Sequence, residues 1–145
     1  MRRWLLDTNI LSEIRKPKPQ TKVIDFVKQQ PIQSLFVSTV TFAEIRFGIE
    51  ALDDAVRRAE LKDWLTLKVR PMFEGRILEV SEDVMFKWRL IVDVGRKQGH
   101  TFTQPDLIIA ATAIVHGMTV VTRDTSDYEL TRAPVFNPWT DPVPS

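Results

Sequence analysis

Cysteine is absent from this 145-residue chain, which excludes disulfides and thiolate-held metal centres. Histidine occurs only twice, as His100 and His116, each beside a glycine at a loop or helix end, and neither is expected to be catalytic. No apolar run reaches the roughly 18 residues that a membrane-spanning helix needs, so no membrane partner is expected. The first residues, Met1-Arg2-Arg3-Trp4, run straight into an expected strand and lack a signal-peptide layout, which fits a cytoplasmic protein. Charge of one sign is not in excess either. The formal net charge is +1, and the basic groups Arg2-Arg3, Arg15-Lys16-Pro17-Lys18 and Arg57-Arg58 read as solvated faces. What is present is ordinary for a globular chain: 43% hydrophobic and 27% charged residues, at a length that suits one domain with a real core.

The pattern alternates strands with helices and shows no hairpin signals. Strands are expected at Arg3–Leu6, Leu35–Val37, Ile77-Leu78, Met118–Thr122 and Val135-Phe136. Between them lie a short helical turn carrying Ile10, Leu11 and Ile14, and helices near Thr21–Gln30, Val40–Leu52 and Asp53–Val69. One capped by Ser81 ends near Gly95 and Gly99, and another, capped by Thr103, stops at Gly117. Such alternation implies an α/β fold, a mainly parallel sheet with helices on both faces, all strand carboxyl ends lying along one edge. Ligands of open α/β sheets bind outside that edge.

Four carboxylates are expected there. Asp7 leaves the first strand, followed by Thr8 and Asn9; the bland reading is that it only caps the next helix. Glu44 shares a stripe with Val40, Ala43, Phe47, Gly48 and Ala51. An ionised carboxylate on an apolar face needs a partner, either a site or an arginine such as Arg46 or Arg89. The opposite stripe of that helix, Phe42, Ile45, Ile49 and Leu52, is apolar too, so the helix is either fully buried or lies at an interface. Asp106 opens a helix that is apolar nearly all round, where the helix dipole alone also favours an acid. Asp124 follows the Met118–Thr122 strand. These four would repel one another strongly, and no row of lysines or arginines stands at matching positions. A divalent cation is the economical compensation, and an oxygen-only donor set points to Mg²⁺ or Mn²⁺.

The segments LLDTN, TFAEI around Glu44, PDLIIAATAI, HGMTVVTRD and the closing NPW resemble PIN-domain ribonucleases, and among them the toxins of bacterial VapBC- and FitAB-type toxin–antitoxin systems. The resemblance runs from Trp4 to about Trp139. It implies a three-layer α/β/α sandwich, with a single PIN-like domain over residues 1–137 and a proline-rich tail over 138–145. It also implies an acidic metal site of Asp7, Glu44, Asp106 and Asp124, supported by Asn9 and Thr122. Some members place the last acid three residues later, where Asp127 stands here, so either Asp124 or Asp127 completes the site. The implied activity is Mg²⁺- or Mn²⁺-dependent endonucleolytic cleavage of RNA by a homodimer that a cognate antitoxin inhibits.

Rival readings fit less well. A haloacid-dehalogenase-like phosphatase would need an aspartate where Asn9 stands, and a receiver-type phosphoacceptor would need a lysine where Thr122-Arg123 follows the strand. A catalytically silent module that binds RNA or protein has no use for four acids facing a polyanion.

Overall fold

The computed structural model describes residues 2–100, 104–142 and 144. Thr103, the expected helix cap, lies outside them. Five short strands form the sheet: β1 (Trp4–Leu6), β2 (Leu35–Ser38), β3 (Ile77–Leu78), β4 (Thr119–Val121) and β5 (Val135–Phe136). Their order is β3-β2-β1-β4-β5, and the four pairings are all parallel. β1 is central, with Trp4 opposite both Leu35 and Thr119.

Successive strand residues point to opposite faces, and each face has its own core. Trp4 and Leu6 join Leu35, Val37 and Val121 under α1 (Thr8–Arg15), α2 (Thr21–Gln29) and α3 (Thr39–Glu50). Leu5 and Val120 point the other way, onto α7 (Gln104–His116), whose Ala110 and Ala113 let it lie close to the sheet. A third apolar layer, with Val84, Ile91, Leu107 and Ala111, fastens α6 (Glu82–Lys97) to α7. The result is a three-layer α/β/α sandwich. Among the described residues, no helix is long and apolar enough to cross a membrane.

Helix ends follow local chemistry. Ser38 and Ser81 cap α3 and α6 by accepting the Val40 and Val84 amides, and Gly117 stops α7 in a left-handed conformation at φ 66°. The charged helix expected over Asp53–Val69 runs on past Val69, through Pro71 to Met72. The run passes from α4 (Ala55–Trp64) through a π-helical turn, Leu65–Val69, into α5 (Arg70–Met72). That turn loosens the helical register just before a proline whose ring would otherwise strike a carbonyl four residues back. α6 ends at Lys97, between Gly95 and Gly99 as expected, and Gly99 follows it in a left-handed conformation at φ 72°.

The two apolar stripes of α3 have different fates, so the helix is not fully buried. Phe42 and Ile49 are buried in the main core with Ile45 beside them, covered by Leu61, Trp64, Leu65 and Val69 of the α4 run. The stripe carrying Glu44 is the outer one, and Phe47 on it is 76% exposed. Both stripes carry enough apolar residues to serve as core. The α4 run covers one of them, and that one becomes core.

Candidate active site

At the carboxyl edge, Asp7, Glu44, Asp106 and Asp124 line one cavity of about 470 Å³. Asn9, Glu13, Lys16, Arg123 and Trp139 share its wall. β1 delivers Asp7, the second turn of α3 and the first turn of α7 bring Glu44 and Asp106 in from the sides, and the loop after β4 presents Asp124. Glu44 is exposed toward this space rather than buried, so it needs no arginine partner.

Asp7 is the anchor, and it caps α1 as well as lining the cavity. Its backbone N–H donates to Val121 O at 2.9 Å, tying it to the end of β4. Its buried carboxylate accepts from the Thr8 amide at 2.8 Å on Oδ1, and on Oδ2 from the Thr122 hydroxyl at 2.9 Å and the Tyr128 hydroxyl at 3.0 Å. Thr122 Oγ1 in turn accepts from Asn9 Nδ2 at 3.2 Å and from the Asp124 amide at 3.0 Å, which saturates its hydroxyl. Asn9 also donates to Asp124 Oδ2 at 3.2 Å and accepts the Arg123 amide at 3.2 Å. Asn9 and Thr122 thus orient two of the acids at once.

Burial pushes the Asp7 carboxyl above its usual range. The three hydrogen bonds pull it back, and the nearby Asp106 charge adds to the rise. Asp127 does not line the cavity. It stands close enough to Asp106 and Asp124 that their charges, after its own desolvation, raise its pKa.

Tyr128 is a site residue that the sequence does not flag. It is fully buried in the 3-10 segment Thr125–Thr131, and its hydroxyl lies 3.0 Å from Asp7 and 3.5 Å from Asp106. Burial and the two carboxylates push its own pKa up, so it remains a donor. The cavity wall also holds the two cations that were not expected, Lys16 and Arg123. Lys16 is bound to Glu13 at 2.8 Å, an i,i+3 spacing visible in the sequence, and it lowers the Glu13 pKa. His100 and His116 do not line the cavity.

The donor chemistry fits a hard divalent cation: carboxylate, amide and hydroxyl oxygens, with a buried Asp7 whose charge is disfavoured as it stands. In position, no three histidine or acidic side chains among the described residues are grouped closely enough to hold an ion.

The PIN domain family matches residues 4–133 of this chain. The chain belongs to that family. This PIN-domain protein is 36% identical over 135 residues to VapC ribonuclease Y4jK of Sinorhizobium fredii, covering 93% of its own length and 96% of that relative. It is 35% identical over 137 residues to the toxin FitB of Neisseria gonorrhoeae, covering 94% and 99% of the two chains. The crystal structure of FitAcB from the same organism superposes with a TM-score of 0.88 at 34% identity, over 94% of this chain and 98% of that one. The protein is therefore related to the VapC and FitB toxins.

Proposed function

We propose that this PIN-domain protein is a Mg²⁺- or Mn²⁺-dependent endoribonuclease and the toxin of a toxin–antitoxin pair. The observation that carries the reading is the meeting of Asp7, Glu44, Asp106 and Asp124 on one cavity at the carboxyl edge of the sheet. Relatives named as a VapC ribonuclease and a toxin support it.

Asp7, Asp106, Asp124 and Glu44 would hold the ion, with Asp127 the alternative to Asp124. When bound, the ion supplies charge neutralisation at the scissile phosphate and a water of lowered pKa. The protein's share is orientation. Thr122, Tyr128 and the Thr8 amide fix Asp7, while Asn9 bridges Asp124 and the Arg123 backbone. Attack by water leaves 5′-phosphate and 3′-hydroxyl ends.

A cognate antitoxin would inhibit by sending a basic side chain among the acids, where a guanidinium fork satisfies two carboxylates. Its helical segment would lie beside the acids. A cavity of about 310 Å³ with Ile45, Leu52, Leu61 and Trp64 in its wall shares Thr8, Ser12 and Glu44 with the acid cavity. The active form in this reading is a homodimer, as size-exclusion chromatography with light scattering would report.

One observation favours a second reading, a catalytically silent module that binds RNA or protein: among the described residues the acids are not grouped tightly enough for an ion. A single experiment separates the two. Purified protein is incubated with a synthetic single-stranded RNA, with Mn²⁺ or with EDTA. Mn²⁺-dependent cutting to 5′-phosphate ends supports the nuclease. Intact RNA in Mn²⁺, with metal-activated controls working, leaves the silent module.

A further inference from the structure

A polyanion must enter a cavity whose wall carries five acids, Asp7, Glu13, Glu44, Asp106 and Asp124, against two cations. Of those cations Lys16 is engaged by Glu13. Arg123 forms no ion pair with any described carboxylate, although it is near enough to Glu13 to help lower that carboxyl's pKa.

Arg123 is also held in place more firmly than an exposed arginine usually is. Its amide donates to Asn9 Oδ1 at 3.2 Å, and its carbonyl accepts from Asn137 Nδ2 at 3.2 Å, so both sides of its backbone are fixed. Its guanidinium carbon lies 5.2 Å from the centroid of the Trp139 ring, within cation–π range. The ring is itself secured, because Asn137 Oδ1 accepts the Trp139 amide at 2.8 Å and the side chain packs on the main core. Asn137 thus ties the Arg123 backbone and its aromatic shelf into one unit, and the guanidinium is kept at the mouth of the cavity. Part of the entropy that an arginine loses on gripping a ligand is already spent here.

We propose that Arg123, shelved on Trp139, binds a backbone phosphate of the RNA strand at the mouth of the acid cavity. The assignment rests on the RNA-cleaving reading above. The guanidinium presents a donor fork matched to two phosphate oxygens, and it lies outside the acid set that would hold the ion.

The test is the salt dependence of binding. Affinity for a fluorescein-labelled single-stranded RNA is measured by anisotropy in EDTA, over a potassium chloride series, for the wild type, Arg123→Gln and Arg123→Lys. Each phosphate contact to a single strand contributes about −0.7 to the slope of log affinity against log salt. Arg123→Gln is expected to lose about 0.7 of slope and about tenfold in affinity. Arg123→Lys is expected to recover the slope and only part of the affinity, since an ammonium lacks the fork. In Mn²⁺, KM for cleavage should rise in Arg123→Gln with kcat little changed, while the Mn²⁺-induced rise in melting temperature stays as in the wild type. An Arg123→Gln protein with the wild-type slope and KM overturns the assignment alone. Loss of the Mn²⁺-induced rise together with RNA binding also overturns it, because the residue would then serve the acids and not the strand. A wild type that neither binds the RNA nor cuts it with Mn²⁺ removes the nuclease reading and the assignment with it.

Discussion

Replacing Tyr128 by phenylalanine removes one oxygen from a fully buried ring and leaves the packing volume almost unchanged. The hydroxyl's single proton goes to the nearer acceptor, Asp7 Oδ2 at 3.0 Å rather than Asp106 Oδ1 at 3.5 Å. Asp7 would then keep two donors, the Thr8 amide and the Thr122 hydroxyl, for a carboxylate whose burial already disfavours its charge. A hydrogen bond to a charged group is worth about 1.5–3 kcal/mol. For a domain of this length each kcal/mol moves the melting temperature by about 2–4 °C, so the variant should melt about 3–12 °C lower. Calorimetry in EDTA reads the effect, and a cycle with Asp7→Asn assigns it. If the lost energy lies in the Tyr128–Asp7 bond, most of it should vanish once Asp7 is uncharged. An unchanged melting temperature, or a coupling below about 0.5 kcal/mol, would refute the reasoning.

Other outcomes follow from the same cavity. Asp7→Asn and Asp106→Asn should each abolish RNA cutting, and Asp106→Asn should melt higher than wild type in EDTA because it relieves repulsion without touching the donors to Asp7; wild-type rates in either would sink the acid assignment. The pH dependence has a definite sign. The folded-state pKa of Asp7 is raised, so native protein binds its proton more tightly than unfolded chain, and the wild type loses stability as pH rises from the ordinary value of 3.8 through the raised one. Asp7→Asn, titrated alongside by denaturant melts, should therefore gain on wild type across that window and then run parallel. Millimolar Mg²⁺ or Mn²⁺ should raise the wild-type melting temperature, and that of Glu44→Gln by less; an EDTA-insensitive melt would show that no cation binds the folded state. Ile49→Ala should cost about 2–5 kcal/mol, since its side chain is buried against the α4 run, and a variant of unchanged stability would place the stripe outside the core.

Much of the fold is legible in the sequence because buried parallel strands leave short apolar runs with polar exits. Trp4-Leu5-Leu6, Leu35–Val37 and Met118–Val121 announce themselves this way, and Gly117 marks a helix end that no other residue type takes as cheaply. The faces of α3 are not legible. Phe42, Ile45 and Ile49 on one stripe compete with Val40, Ala43 and Phe47 on the other, and only the position of α4 decides between them. The meeting of the four acids can be anticipated from strand exits and helix starts, which topology brings to one edge. The side chains that surround them cannot. Tyr128 sits in a 3-10 segment without periodicity, and Lys16 and Arg123 reach the cavity wall from loops whose path depends on tertiary contacts.

β1 is the middle strand of the sheet, and its partner β4 comes only with Thr119–Val121, far along the chain. The bond between Asp7 and the Thr122 hydroxyl joins residues 115 positions apart. On a ribosome working at about 5–20 residues per second, Asp7 waits roughly 6–23 s for the residue that orients it. Until then the chain has a strand with one neighbour missing and no acid cavity at all. A premature stop before residue 119 therefore yields a fragment without the site. The acid cavity is thus a property of the finished sheet: Asp7 is oriented, and Asp124 presented, by residues more than a hundred positions further along the chain.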